Sequence, residues 1–364
     1  MTHGSSRTLS QFLEFKNGKT SPSRNDDGSF AVFGSNGEIG RSESVNGQGP
    51  LIVIGRVGSY CGSLFYSESD AWVTDNAIIC SSKESSDVRY WYYALLTLAL
   101  NGRSSGSGQP LLNQGILGSI HFDPPELTDR QAIAEVLGAL DDKIAANTKL
   151  LSTADQLSHA IFRSMSQTSG QMIPLSETAE FVNGKAFTKN ANGTGRVVIR
   201  IAELNSGISG STVYNDIDVD DQHLARPGDL LFAWSGSLTL HRWFRPEGII
   251  NQHIFKVIPK TGYPVWLVHE LLRHKLEEFK AIAADKATTM GHIQRKHLDE
   301  LVAAPAPDVI LLNNELMAGL WRRALAAEVE STNLAAMRDT LLPQLISGKL
   351  QVRDAEKVLE EAGV

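Results

Sequence analysis

The stretch Leu9-Ser10-Gln11-Phe12-Leu13-Glu14-Phe15-Lys16-Asn17-Gly18-Lys19 returns 166 residues later as Leu175-Ser176-Glu177-Thr178-Ala179-Glu180-Phe181-Val182-Asn183-Gly184-Lys185, identical at seven of eleven positions. The landmarks that follow keep their order. Each copy passes through a glycine-containing strand and turn (Val53 to Ser59; Leu231 to Ser237), then a helix with a tryptophan and a leucine five residues on (Trp91, Leu96; Trp266, Leu271). Each then reaches a Gly/Ser/Thr-rich loop, a proline pair (Pro124, Pro125; Pro305, Pro307) and a long helical text. Stacked solenoid repeats recur every 20 to 50 residues or so, so this longer period predicts the tandem duplication of a whole domain plus a helix. Two like modules point to a partner with two like sites.

At 364 residues the chain is long enough for two ordinary domains. Its 42% hydrophobic and 21% charged residues let both halves bury a core. It contains no apolar run of membrane-spanning length, and the polar segment Met1 to Arg7 leads into no apolar signal region, so a cytoplasmic location is expected. Cys61 and Cys80 are too few for a disulfide framework or zinc site and read as small buried hydrophobes; no structural metal is expected. The net charge of -7 counts against nucleic-acid binding at face value. The acid is concentrated, however, in Asp216 to Asp221, Asp141-Asp142 and Asp354 to Glu361, while Leu175 to Glu300 balances 15 Lys+Arg against 15 Asp+Glu and holds seven of the ten histidines. A locally basic face on an acidic protein is compatible with these numbers.

Residues 1–125 read as a first mixed α and β module. Leu51 to Ile54 and Ala77 to Cys80 have strand length and composition, Tyr90 to Leu100 reads as a mostly buried helix closed by Asn101-Gly102, and Arg103 to Pro110 must be a loop. Residues 126–168 read as one long helix of about 38 residues, some 57 Å at 1.5 Å per residue. It opens on the capping box Thr128-Asp129-Arg130-Gln131. Ile133, Leu137, Leu140, Ile144, Asn147, Leu151, Ala154, Ser158, Ile161 and Met165 alternate spacings of four and three along it, the seam of a coiled coil. Asn147 either meets a polar residue of a facing helix and fixes register, or marks a solvated break. Residues 169–308 form the second module, with strands at Val197 to Ile201 and Asp229 to Trp234, a turn at Arg226-Pro227-Gly228-Asp229 and a helix over Pro264 to Ala284. A second long helix occupies 309–350, striped by Met317, Leu320, Ala324, Ala327, Leu334, Met337, Leu341 and Leu345; Pro343 should bend or end it nearby, and Gly348 stops it. Residues 351–364 remain as an acidic tail.

Catalytic signatures are weak. Asp123-Pro124-Pro125 resembles the amine-holding motif of amino-methyltransferases, but Glu126 stands where an aromatic would stack on a base, and no GxGxxG cofactor loop precedes it; it reads as a hinge. His241, His253, His269, His274, His292 and His297 lack metal-ligand spacing. Gly55-Arg56-Val57-Gly58-Ser59-Tyr60 and Ala233-Trp234-Ser235-Gly236-Ser237-Leu238 are polar turns after strands. Arg56 offers a bidentate fork for guanine or phosphate, and serines can reach either; a solvated turn is the plainer reading.

The Phe-x-Asn-Gly-Lys openings, Gly55 to Ser59 with Trp72-Val73-Thr74-Asp75-Asn76-Ala77, the Ser105 to Pro110 loop, Leu140-Asp141-Asp142-Lys143-Ile144 with Asn147, and the ending Leu341 to Leu350 together resemble the specificity (S) subunits of type I restriction-modification systems. The resemblance runs over essentially the whole chain. It implies an α+β fold with two similar target recognition domains in pseudo-twofold tandem, separated by two long antiparallel coiled-coil helices. It implies no chemistry of the chain's own and no cofactor. Each module would read one half of a split double-stranded DNA target, and the helices would set the gap. Partners would be two methyltransferase subunits, which carry S-adenosylmethionine, and a restriction subunit in the full complex. The DNA-facing residues would then be Arg56, Ser59, Tyr60, Ser107 and Gln109 in the first module and Trp234, Ser237, His241, Thr289 and His292 in the second. The partner-docking residues would be Ile133, Leu137, Leu140, Ile144, Asn147, Leu334, Met337 and Leu341. A reading from another class is a coiled-coil scaffold joining two modules that bind ligands other than DNA; a duplicated enzyme comes third.

Overall fold

The apolar runs of the first module fold as a four-stranded antiparallel sheet, described here in a computed structural model covering residues 7–105, 110–285 and 291–363. In chain order the strands are β1 (Leu13–Asn17), β2 (Phe30–Gly34), β3 (Gly37–Ser42), β4 (Leu51–Gly55), β5 (Leu64–Ser67), β6 (Ala71–Val73) and β7 (Ala77–Ser82). The main sheet runs β1-β7-β4-β5, and β3-β2-β6 forms a smaller one in which β2 and β6 are parallel. Leu51-Ile52-Val53-Ile54-Gly55 is buried on both faces, which is why it reads as an unbroken apolar run rather than an alternation. Helix α1 (Val88–Leu96) buries Tyr90, Trp91, Tyr93 and Leu95; it ends earlier than Leu100 because Ala99 turns left-handed and a short 3-10 turn follows. Helix α2 (Gln114–Gly118) is capped by the Asn113 side chain, which accepts from the Ile116 N–H.

Helix α3 (Leu127–Ser169) is 43 residues long. It starts one residue before Thr128, so that threonine lies inside the first turn rather than capping it. The second module then supplies β8 (Gln171–Pro174), α4 (Leu175–Thr178), β9 (Ala179–Asn183), β10 (Arg196–Ile199), α5 (Ile201–Ser206), β11 (Tyr214–Asn215), β12 (Leu224–Ala225), β13 (Leu230–Ala233), β14 (Thr239–Arg242), β15 (Gly248–Ile250), β16 (Ile254–Pro259), α6 (Val265–Asp285) and β17 (Leu301–Ala304). Its main sheet, β9-β16-β13-β14, repeats the order of the first. The smaller sheet again has a parallel pair, β10 with β15, and an antiparallel neighbour, β11. Pairing of Phe15 with Cys80 in one module is matched by Phe181 with Val257 in the other. The duplication seen in the sequence is thus a duplication of topology. Helices α7 (Pro307–Ile346) and α8 (Val352–Ala362) close the chain; α7 runs three residues past Pro343, and the stretch expected as a tail is helical.

Contacts divide the chain into Met1–Lys143 with Leu334–Val364, and Ile144–Asn333, so each unit owns one module and one portion of each long helix. Inside the second unit α3 and α7 run antiparallel: Asn147 Nδ2 donates to Glu330 Oε2 at 2.7 Å near one end, and the Ala306 N–H reaches Ser169 Oγ at 3.3 Å near the other. Asn147 therefore has a facing polar partner. Phe162 and Met165 of α3 share a core with Met317 and Trp321 of α7 and with Trp266, Leu271 and Phe279 of α6. In the first unit Asp141 accepts from Arg338 Nη1 at 2.7 Å. The chain itself covers Ile133, Leu137, Leu140, Leu334 and Leu341, and Asn147 is buried; only Ile144 and Met337 are partly open. As docking residues the buried positions are corrected, because they are packed within the chain, and Ile144 and Met337 keep open surface. Cys61 and Cys80 are buried free thiols, and burial pushes both upward in pKa. No helix among the described residues is long and apolar enough to cross a membrane.

The first module is fastened to α3 by a buried charge pair. Arg130 donates to Asp87, whose carboxylate also accepts from Trp91 Nε1 at 3.0 Å and Ser82 Oγ at 2.5 Å. Removing one member of a buried pair strands the other and costs about 3 to 5 kcal/mol. Asp87→Ala is therefore expected to lower the urea midpoint by that much stability, whereas Asp339→Ala, which removes an exposed partner of Arg338, should cost under about 1 kcal/mol; equal effects would contradict the assignment.

Candidate nucleic-acid interface

The repeated Asn-Gly-Lys brings the same set of loops together in each module. Gly18 lies against the strand end after β6: a Cβ on it would sit 2.1 Å from the Thr74 carbonyl oxygen and 2.4 Å from that of Val73. Gly184 meets the carbonyl oxygens of Asn251 and Ile250 at the same 2.1 and 2.4 Å. Only a residue without a side chain allows that approach. It seats Lys19 beside Thr74 and Lys185 beside Asn251 as parallel bridges.

The turn after the central strand docks on this platform. The Arg56 N–H donates to the Asn76 carbonyl at 2.9 Å, and the Trp234 N–H to the His253 carbonyl at 3.1 Å. The Arg56 carbonyl accepts from Leu112 N–H and the Trp234 carbonyl from Ile293 N–H; the Gly58 N–H donates to Pro110 O and the Gly236 N–H to Gly291 O. Gly58 and Gly236 hold matching left-handed conformations, φ 72° and 67°. Arg56 and Trp234 are hence structural equivalents, as are Thr74-Asp75-Asn76 with Asn251-Gln252-His253 and Leu111 with His292. The residues leading into Pro110 and Gly291 include Ser107, Gln109 and Thr289, which lie outside the described residues.

Buried polar atoms without a partner among the described residues gather here. They include Arg56 Nε, Trp72 Nε1 and Thr74 Oγ1 in the first module and Asn251 Oδ1 and His253 Nδ1 in the second. Buried polar groups are nearly always bonded, and these unpartnered atoms fall at equivalent places in the two modules. The chemistry at the tip differs between modules. Arg56 is half-buried, with Nη1 3.4 Å from the Asp75 carbonyl, and Ser59 and Tyr60 are exposed beside it. Trp234 is half-buried and donates its indole N–H to Asn183 Oδ1 at 2.8 Å, with His292 edge-on at 6.4 Å and His253 at 5.3 Å. Ser237 is exposed and lines a cavity of about 340 Å³ with Gly236, Lys280 and Gly291.

One expected DNA-facing residue lies on a strand away from this turn. His241 lies on β14, within 3.2 Å of the Asn205 Oδ1 of α5, and burial, helped by nearby Arg245, pushes its pKa down to about 4. At pH 7 it is therefore neutral. Conversely, Asn17, Lys19, Thr74, Asp75 and Asn76 with Asn183, Lys185, Asn251, Gln252 and His253 belong to the platform. The repeat itself was their signal. Asp123 of the Asp-Pro-Pro hinge accepts from Arg7 Nε at 2.6 Å, which occupies the carboxylate in a structural ion pair.

Residues 5–156 match the family described as Type I restriction modification DNA specificity domain. The EcoprrI type I restriction enzyme specificity subunit of Escherichia coli is 24% identical over 144 residues, 38% of this chain. That match spans 36% of the Escherichia coli subunit, about a third of its length. A crystal structure of the type I restriction-modification S subunit of M. genitalium superposes with a TM-score of 0.64 at 15% identity, over 95% of this chain and 98% of that one, a likeness of fold. The HsdS subunit of Thermoanaerobacter tengcongensis, 12% identical over 93% and 97% of the two chains, superposes with a TM-score of 0.31.

The platform and the neutral histidine each have a measurable consequence. Gly184→Ala should cost about 1 to 3 kcal/mol by forcing backbone apart, against no measurable change for Gly210→Ala, whose surroundings are open; urea unfolding of both variants decides it. Because the folded His241 resists protonation, it contributes stability above pH 6.5 that is lost as pH falls from 6.5 towards 4, on the order of 3 kcal/mol. His241→Asn should flatten the stability profile across that window, and an unchanged profile would contradict the burial argument.

Proposed function

We propose that this chain, whose residues 5–156 match the type I restriction-modification DNA specificity domain, is the subunit that selects the DNA sequence for a modification and restriction complex. Each module reads one half of a split target, and α3 and α7 set the gap and carry docking sites for two methyltransferase subunits. Bond-making belongs to those partners, which bind S-adenosylmethionine; this chain contributes recognition without catalysis or a cofactor of its own, in the cytoplasm. A restriction subunit completes the assembly.

The observation that carries this reading is the platform built twice with different chemistry at its tip. A guanidinium fork at Arg56 suits the O6 and N7 acceptors of guanine in the major groove. The Trp234 indole has its N–H already bound to Asn183, so it offers an apolar face to a thymine methyl or a base plane. One backbone frame with unlike tips fits a bipartite target with unlike halves. Lys19 and Lys185, exposed at the shared bridge, are placed for phosphate contacts, which position the protein without reading sequence.

Random-sequence selection by the chain co-expressed with its methyltransferase subunit tests the proposal. The expected outcome is a motif of two unlike halves. Arg56→Ala should relax one position of one half at a cost of about 1 to 3 kcal/mol, and Trp234→Ala one position of the other half. Enrichment of a single contiguous motif, or of none by a stable complex, would contradict the reading.

A further inference from the structure

The second module carries a built cavity that the shared platform does not explain. It measures about 310 Å³ and is lined by Lys185, Phe187, Asp218, Val219, Asp220 and His223. His223 is only 4% exposed, yet neither of its ring nitrogens has a hydrogen-bond partner among the described residues. Leaving both nitrogens of a buried imidazole unbonded costs a desolvation penalty for each. The ring is not loose: its backbone N–H donates to the Asp220 carbonyl at 2.8 Å, and the ring lies 5.6 Å from that of Phe187. Phe187 is fixed in turn, its carbonyl accepting from Asn215 Nδ2 at 2.9 Å. His223 lines the cavity, and its two buried, unpartnered ring nitrogens are atoms that a ligand entering there would satisfy after a small shift of the ring.

The lining narrows the ligand's chemistry. Burial, reinforced by the Lys185 ammonium, lowers the His223 pKa, so at neutral pH the ring presents one donor and one acceptor. Asp218 and Asp220 add exposed acceptors at the rim, Lys185 adds a donor, and Phe187 and Val219 supply apolar wall. A phosphate would face two carboxylates. A metal ion is disfavoured too, because no group of three or more His, Cys, Asp or Glu among the described residues is arranged to hold one. What remains is a flat, uncharged ring with donors and acceptors on its edge, including an amine for the carboxylates.

We propose that this cavity receives a nucleobase bearing an exocyclic amine, unstacked from the DNA that the second module contacts. The inference rests on the DNA-recognition reading. Lys185 joins the two places: its carbonyl accepts from the Gln252 N–H at 2.9 Å on the Trp234 platform, and its side chain lines the cavity. A base taken out of the stack is read on its edge and held by an apolar wall, and carboxylates accept from the cytosine N4 amine. The first module has the matching Lys19, and the proposal concerns the second half-site, where the cavity is lined by Lys185.

The test uses the full chain in its methyltransferase complex, with His223→Phe to remove both ring nitrogens while keeping a ring, and Asp220→Asn to replace one carboxylate oxygen with a donor and remove the charge. Random-sequence selection should show each variant losing tenfold or more discrimination at one position of one half-site, with the other half unchanged. Saturation-transfer NMR with deoxycytidine, deoxyadenosine and thymidine separates a free nucleoside from a base presented by DNA. The amine-bearing nucleosides should saturate on the wild-type chain and not on His223→Phe, and thymidine on neither. If the wild type selects a split motif that both variants reproduce, the cavity proposal is overturned while the recognition reading stands. If the wild type selects no motif, the recognition reading fails, and equal or absent saturation by all three nucleosides then overturns the cavity proposal on its own.

Discussion

The structure depends on the missing side chain at Gly18 and Gly184. Each glycine lies so close to two successive carbonyl oxygens that any Cβ would force the chains apart. Because they fit, the segment after the first strand of each module locks onto the turn before its partner strand, and that turn supplies the carbonyl that receives the Arg56 or Trp234 N–H. The sheet order, the glycine-held turn and the strand that exits the following loop are then fixed in register. The frame presents different side chains in the two modules: a guanidinium in one, an indole pinned by Asn183 in the other.

Much of this was legible because duplication leaves its mark where backbone geometry admits few residues. Asn-Gly-Lys survived in both copies for the contact just described, and the strands at Leu51 to Ile54 and Ala77 to Cys80 showed as apolar runs because they are central strands. The platform at Thr74 to Asn76 and Asn251 to His253 was harder to see. Those triplets share no residue, and only their backbone hydrogen bonds make them equivalent. The heptad stripe alone does not identify partners: spacing of four and three records that a helix face is covered, not by whom. Leu137 and Leu140 are covered by this chain. The lowered pKa of His241 was not legible either, since it depends on burial beside Asn205 and Arg245.

Polar networks within the second unit fix the long helices against its module. Arg242 of β14 donates to Glu328 of α7 at 2.7 Å, and its guanidinium lies 4.6 Å from the Trp321 ring centre. Glu270 of α6, almost fully buried, is 2.9 Å from His159 Nδ1 and accepts from Ser158 Oγ at 3.3 Å, both on α3. Burial alone would raise the Glu270 pKa, but contacts with His269 and His159 and the nearby Arg273 bring it below the usual range. Charges buried with partners specify one arrangement among many that an apolar seam would tolerate. That suits a protein whose helices are proposed to act as a ruler.

The acidic net charge of -7 stands easily with this account, since phosphate attraction need only be local. The central claim is that two equivalent platforms read two half-sites at a separation set by the helices. The most direct measurement is equilibrium binding of the chain, in its methyltransferase complex, to its selected DNA with one or two base pairs inserted into the gap. The account predicts a loss of at least tenfold in affinity with both half-sites intact. Unchanged affinity across gap lengths would contradict it, because the modules would then be independent readers on a flexible tether.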